Sequence, residues 1–136
     1  MAIAAVSVSV TAEVRLPQFL TDNMVVQQNS ELIVSGEGKG GVKVSASWLD
    51  EPIVAEVSRG GKFKVFIPTP EAGGPWSISF FDNDGTKTLS DVWSGEVWLC
   101  SGQSNMEMPV GGWGKVKDYE KEISNATLPQ VHLLQI

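Results

Sequence analysis

Short runs of alternating apolar and polar residues constrain residues 14 to 93 more than any other feature of the chain. Val42, Val44, Ala46 and Trp48 alternate with Lys43, Ser45 and Ser47, and Phe63, Val65 and Ile67 alternate with lysines. A period of two puts every second side chain on one face, which is the pattern of a strand with one face on a core. Met24-Val25-Val26 and Leu32-Ile33-Val34 precede these runs, and Trp76, Ile78 and Phe80 continue them. The breaks are turn chemistry: Gly36 to Gly41, then Asp50-Glu51-Pro52 before a return over Ile53 to Val57, then Arg59-Gly60-Gly61, then the Pro- and Gly-rich Pro68 to Pro75. Asp84-Gly85 reads as a hairpin turn whose two central positions tolerate positive φ. Strands punctuated about every ten residues predict an antiparallel sandwich or barrel over residues 14–93, with an antiparallel β-sandwich, jelly-roll-like, as the favoured form.

Several function classes drop out here. Asp82-Asn83-Asp84-Gly85 has the look of a calcium loop, but it lacks the third spaced oxygen ligand and the downstream bidentate Glu. One His and one Cys are too few for a structural zinc site. Gly111-Gly112-Trp113-Gly114-Lys115 carries glycines and a lysine without the strand that feeds a nucleotide loop. Neither metal nor cofactor is expected. A formal net charge of −6 leaves no basic stripe to neutralise phosphates, so nucleic acid is not an expected partner.

After Trp93 the pattern changes. Val97 to Cys100 is an uninterrupted apolar run, as in a strand buried on both faces, and it leads into Ser101-Gly102-Gln103-Ser104-Asn105-Met106. A strand that ends in a Gly-x-Ser turn lifts a serine hydroxyl out of a sheet. Met106 stands where the full elbow has its second Gly, so the motif is half matched. Ser104 and Glu107 also have capping-box spacing, in which the hydroxyl would bond a backbone N–H. Pro109 and Gly111-Gly112 allow one helical turn at most behind such a cap, which favours a functional Ser104. Val116, Tyr119 and Ile123 then recur at helical spacing over 115 to 124. Asn125-Ala126-Thr127 is a glycosylation sequon or the loop at that helix's end, and Val131 to Ile136 reads as another strand. Cys100 reads as a small buried hydrophobe.

The first residues, Met1 to Ala12, are small and apolar, with no Lys or Arg ahead of them. They read as a signal remnant or leader over residues 1–13, or as an extra strand, since Val6, Val8 and Val10 alternate. The stretch is too short to span a bilayer, so no membrane partner is expected. The remnant predicts a secreted or periplasmic protein.

Gly95-Glu96-Val97-Trp98-Leu99-Cys100-Ser101-Gly102-Gln103-Ser104-Asn105-Met106-Glu107 resembles the nucleophile block of the sialate O-acetylesterase family, a branch of the SGNH hydrolases. Leu16 to Gln27 resembles the family's opening segment, and Leu128-Pro129-Gln130-Val131-His132-Leu133 the start of its next strand. The resemblance covers nearly the whole chain from Val14 onward. It implies a mainly β chain, in which the sandwich is followed over residues 94–136 by the opening β-α-β piece of an α/β SGNH-type domain. The remainder of the catalytic domain would come from elsewhere, because family members are several-fold longer.

The resemblance implies a serine esterase that removes O-acetyl groups from sialic acid or related sugars through an acyl-enzyme on Ser104. The backbone N–H of Ser104 would serve the oxyanion hole, Gly102 and Asn105 would shape the loop, and Gln103 would position the loop or a substrate hydroxyl. Gln103 stands where many relatives have Asp. The family's catalytic His and Asp lie in a segment with no counterpart in this chain, so it is expected to be inactive alone. His132 is read as a half-exposed strand residue rather than the base. Trp113 is read as a sugar-stacking or a core tryptophan. The alternative function is a non-catalytic β-sandwich module for carbohydrate binding or packing.

Overall fold

A computed structural model describes residues 14 to 135; the leader assigned to residues 1–13 and Ile136 lie outside them. The chain forms two compact units, one ending at Glu96 and the other starting at Val97.

The first unit is made of strands: β1 (Val25–Gln27), β2 (Glu31–Glu37), β3 (Val42–Ala46), β4 (Ile53–Ala55), β5 (Lys62–Pro68), β6 (Gly73–Phe81) and β7 (Thr86–Gly95). They form a five-stranded sheet in the order β1-β7-β6-β3-β4 and a two-stranded sheet of β2 and β5. Alternation decides the inner faces. Val42, Val44 and Ala46 of β3 point inward, as do Phe63, Val65 and Ile67 of β5 and Ile78 and Phe80 of β6, while Lys43, Ser45, Lys64 and Phe66 between them are exposed. Val34 from β2 and Leu89 and Val92 from β7 complete one hydrophobic cluster shared by both sheets.

An antiparallel sandwich was expected, but the pairing is not wholly antiparallel. β1 runs parallel to β7, with Val25 opposite Trp93 and Gln27 opposite Gly95. Parallel neighbours need a long connection, and here the whole intervening chain supplies it, so local turn signals cannot reveal the pair.

Two turns form for reasons other than those read from sequence. The β6–β7 hairpin closes at Asp82 to Gly85, yet neither Asp84 nor Gly85 has positive φ. The carboxylate of Asp82 holds the turn instead: Oδ1 accepts the N–H groups of Asp84 and Gly85 at 2.9 and 3.0 Å. This is the Asx-type turn that aspartate favours. Oδ2 of the same carboxylate accepts the N–H of Lys39 at 3.0 Å, tying the β2–β3 turn alongside. Lys39 Nζ lies 2.6 Å from Asp84 Oδ2, and that contact raises the lysine pKa above its ordinary value.

Gly36, read as part of a turn, lies inside β2; the turn itself holds Gly40 and Gly41 at φ +73° and +110°. Gly36 serves close approach. A Cβ there would come within 2.5 Å of the Arg15 carbonyl oxygen and 2.8 Å of Phe63 Cε1. Arg15 and Glu37 exchange backbone hydrogen bonds at 2.9 Å just beside it, so the backbone has no room to retreat. Gly36→Ala is therefore expected to destabilise the β unit by about 1–3 kcal/mol, the usual cost of overpacking, read as a lowered urea midpoint.

The second unit carries little regular structure: α1 (Ser104–Glu107), a single turn, and α2 (Tyr119–Ser124). The strands expected at Val97 to Cys100 and from Val131 onward do not form within the described residues. A strand buried on both faces needs hydrogen-bonded neighbours and covering layers, and residues 97–135 provide neither. The helix expected over 115 to 124 begins only at Tyr119, because Gly114 and Asp118 adopt positive φ of 63° and 55°. Its apolar pair does face one way. Tyr119 and Ile123 lie against Gly111, where an added Cβ would sit 3.2 Å from Tyr119 Cδ2. Asn125 caps the helix end, its N–H donating to the Lys121 carbonyl at 3.1 Å, so the sequon occupies the loop position.

Candidate functional site

The residues that end β7 lead directly into the segment carrying Ser104, and they make several polar contacts within the first unit. Gln27 ends β1 opposite Gly95, and Gln28 follows it. The backbone N–H of Gln28 donates to the Gly95 carbonyl at 2.8 Å. Its side-chain Nε2 donates to Glu96 Oε1 at 2.7 Å, while Gln27 Nε2 donates to Glu96 Oε2 at 3.3 Å. The amides of Gln28 and then Gln27 hold the Glu96 carboxyl below its usual pKa, since both bonds favour the charged form.

Two buried hydroxyls brace the same corner. Thr69 Oγ1 donates to the Gln27 carbonyl at 2.6 Å and accepts the Ser30 N–H at 2.9 Å. Ser94 Oγ donates to the Pro70 carbonyl at 2.9 Å. Buried polar atoms satisfied in this way stabilise a single arrangement. Sequence reading did not single out Glu96, Gln27 or Gln28 for any role. The signal was there: Glu96 and Gln27 both lie inside the runs that carry the family resemblance.

Beyond Glu96, residues 97 to 107 are all exposed. Cys100 is exposed too, contrary to the buried hydrophobe expected of it. That expectation needed the strand that does not form.

Gly102, Gln103, Ser104 and Asn105 are brought together at the start of α1. Gln103 is its N-cap residue and makes no side-chain cap bond, and its carbonyl accepts the Met106 N–H at 2.9 Å. Ser104 therefore opens the helical turn rather than capping it, and the capping-box geometry is not formed. Met108 follows with extended backbone ahead of Pro109, so the turn stops after Glu107. A Cβ added at Gly102 would come within 2.9 Å of Met106 Cγ, on a side chain that is half exposed.

This geometry presents the Ser104 hydroxyl to solvent, with its own N–H among the first groups of a helical turn, which lack intrahelical acceptors. Ser104 Oγ makes no hydrogen bond to an imidazole or carboxylate among the described residues, so a base is not assembled on it there. His132 lies in irregular chain after the Leu128–Val131 turn, outside any strand. Trp113 is half exposed. Among the described residues no group of His, Cys, Asp and Glu is placed to hold a metal ion, and no helix is long and apolar enough to cross a membrane.

Comparison with known proteins points one way. The mouse sialate O-acetylesterase is 30% identical over 139 residues, covering 94% of this chain and 25% of the mouse protein. Further sialate O-acetylesterases are similar to this chain as well. The rat protein is 31% identical over 119 residues, covering 79% of this chain and 22% of its own length. The human protein is 28% identical over 134 residues, covering 90% and 25%. Among solved structures, a carbohydrate acetylesterase from Xanthomonas citri matches with a TM-score of 0.64 and 31% identity, over 71% of this chain and 22% of that one. No family model matches. The chain spans about a quarter of the length of the sialate O-acetylesterases it resembles.

Proposed function

We propose that this chain is part of a serine carbohydrate O-acetylesterase of the SGNH type, with Ser104 as nucleophile and the β unit as a sandwich-like companion domain. The observation that carries the reading is the similarity to sialate O-acetylesterases across 94% of the chain. The exposed hydroxyl of Ser104 on a tight Gly-x-Ser turn is the chemical feature that fits it.

In the reaction, Ser104 Oγ attacks the acetyl carbonyl and its proton passes to a base, normally a histidine oriented by a carboxylate. The developing oxyanion takes hydrogen bonds from backbone donors, of which the Ser104 N–H is one. The alcohol of the sugar departs with the proton, and water then releases acetate from the acyl-enzyme. The His and Asp belong to the remainder of the catalytic domain, so residues 1–136 alone are expected to turn over little.

Acetate release tests the reading. An O-acetylated sialoside and an acetylated plant polysaccharide would each be given to this chain and to a polypeptide that joins it to the rest of a relative's length. Release by the longer protein from either substrate supports the esterase reading, and the preferred substrate identifies the sugar. A folded longer protein that releases acetate from neither sinks it.

A second reading has its own observation. The β unit closes on its own core without using residues 97–135. It therefore suits a carbohydrate-binding or packing module as well, and saturable binding of a glycan by this chain with Ser104 replaced would favour that role.

A further inference from the structure

We infer that Glu96 is a positioning residue for the Ser104 loop: its carboxylate clamps the end of β7 to the last residue of β1 and the one after it, so that residues 97–108 leave the β unit from one fixed point. The inference rests on the reading of Ser104 as nucleophile, and it adds a residue to which no role has been assigned.

The chemistry requires a carboxylate. Two amide donors, from Gln27 and Gln28, converge on Glu96 at 3.3 and 2.7 Å, one on each oxygen. An ionised carboxylate offers two acceptor oxygens and no donor, whereas a glutamine would offer one acceptor and turn an N–H₂ toward one of the amides. The Gln28 amide is itself oriented, because its Oε1 accepts the Ala72 N–H at 3.0 Å and so leaves Nε2 facing Glu96. A flipped amide would place its oxygen against the carboxylate and lose both bonds.

The clamp also has a rigid base. Gln28 N–H holds the Gly95 carbonyl, Asn29 N–H and Ser94 Oγ both donate to the Pro70 carbonyl, and Thr69 bridges Gln27 and Ser30. All these groups lie in the first unit, and Glu96 is its last residue. An exposed carboxylate is not needed to keep the core closed. Its two bonds instead remove freedom from the single residue through which the catalytic segment is attached. A nucleophile must be held within a fraction of an ångström of its productive place, so the root of its loop is where rigidity matters.

The test is backbone ¹⁵N relaxation on the full 136-residue chain, comparing wild type with Glu96→Ala, Glu96→Gln and Gln28→Met. In Glu96→Ala the order parameters of residues 95 to 99 are expected to fall from about 0.85 toward 0.6 or below, with β2 to β6 unchanged. Gln28→Met should loosen the same residues, and Glu96→Gln should fall between wild type and alanine. Unchanged order parameters at 95 to 99 in Glu96→Ala would overturn the inference. So would loosening that spreads through the strands with a lowered thermal midpoint, because Glu96 would then be a general structural residue. A Glu96→Gln variant as rigid as wild type would remove the need for two acceptors. The readout does not depend on turnover, so failure of the acetate-release assay and failure of the clamp remain separate results.

Discussion

Replacing Phe80 by alanine is expected to cost the β unit about 3–5 kcal/mol, seen as a fall of about 2 M in the urea midpoint at unchanged slope. Phe80 is fully buried and is the bulkiest of the completely enclosed side chains. Its ring lies against that of Phe63 from β5, with centroids 6.5 Å apart and planes tilted by 42°. That contact joins the five-stranded sheet to the two-stranded one. Truncation removes the burial of a phenyl group and leaves a cavity which close-packed strands on either side cannot collapse to fill. Total stabilities of small domains are about 5–15 kcal/mol, so the loss is a large part of what the unit has. Phe81 is the internal control. One residue along β6 it faces outward, and 37% of its surface is exposed. Phe81→Ala should move the midpoint much less. Equal losses at Phe80 and Phe81 would contradict the strand's orientation.

That pair of neighbours also shows why so much of the first unit was legible in sequence. The burial of Val42, Val44 and Ala46, and of Phe63, Val65 and Ile67, follows from a period of two that needs no knowledge of which strand lies alongside. What pairing depends on is not local. The parallel β1–β7 contact joins residues nearly seventy positions apart, as in Val25 opposite Trp93. Turn chemistry was legible as a location and not as a cause: Asp84-Gly85 marks the hairpin, but the Asp82 carboxylate makes it.

Past Glu96 the difficulty was of another kind. Val97 to Cys100 has the composition of a central strand, and composition supplies neither neighbours nor covering helices. Around Ser104 the sequence limited the local structure well, since Pro109 allowed one helical turn and one turn forms. The bonds to Glu96 were not legible because Gln27 and Gln28 lie nearly seventy positions before it, and membership of the same family-like runs does not pair residues in space.

Ser104→Ala is the substitution with the largest expected effect on chemistry. In a polypeptide that joins this segment to the remaining length of its relatives, kcat for acetyl-ester hydrolysis should fall about 10⁴- to 10⁶-fold, because the nucleophile and its base act as a unit. In residues 1–136 alone, hydrolysis of p-nitrophenyl acetate should stay near background and change less than about twofold on substitution, since a serine without a bonded base is a weak nucleophile. The fold should be untouched in both cases. A serine acting as a helix cap would cost about 0.5–2 kcal/mol when replaced, but the N-cap here is Gln103 and makes no side-chain bond. Ser104 is exposed, so alanine leaves no cavity behind. A longer protein whose Ser104→Ala variant kept its rate would remove Ser104 from the mechanism. A clear Ser104-dependent rate in the short chain would mean that a base reaches the hydroxyl after all, and His132 would be the next residue to replace.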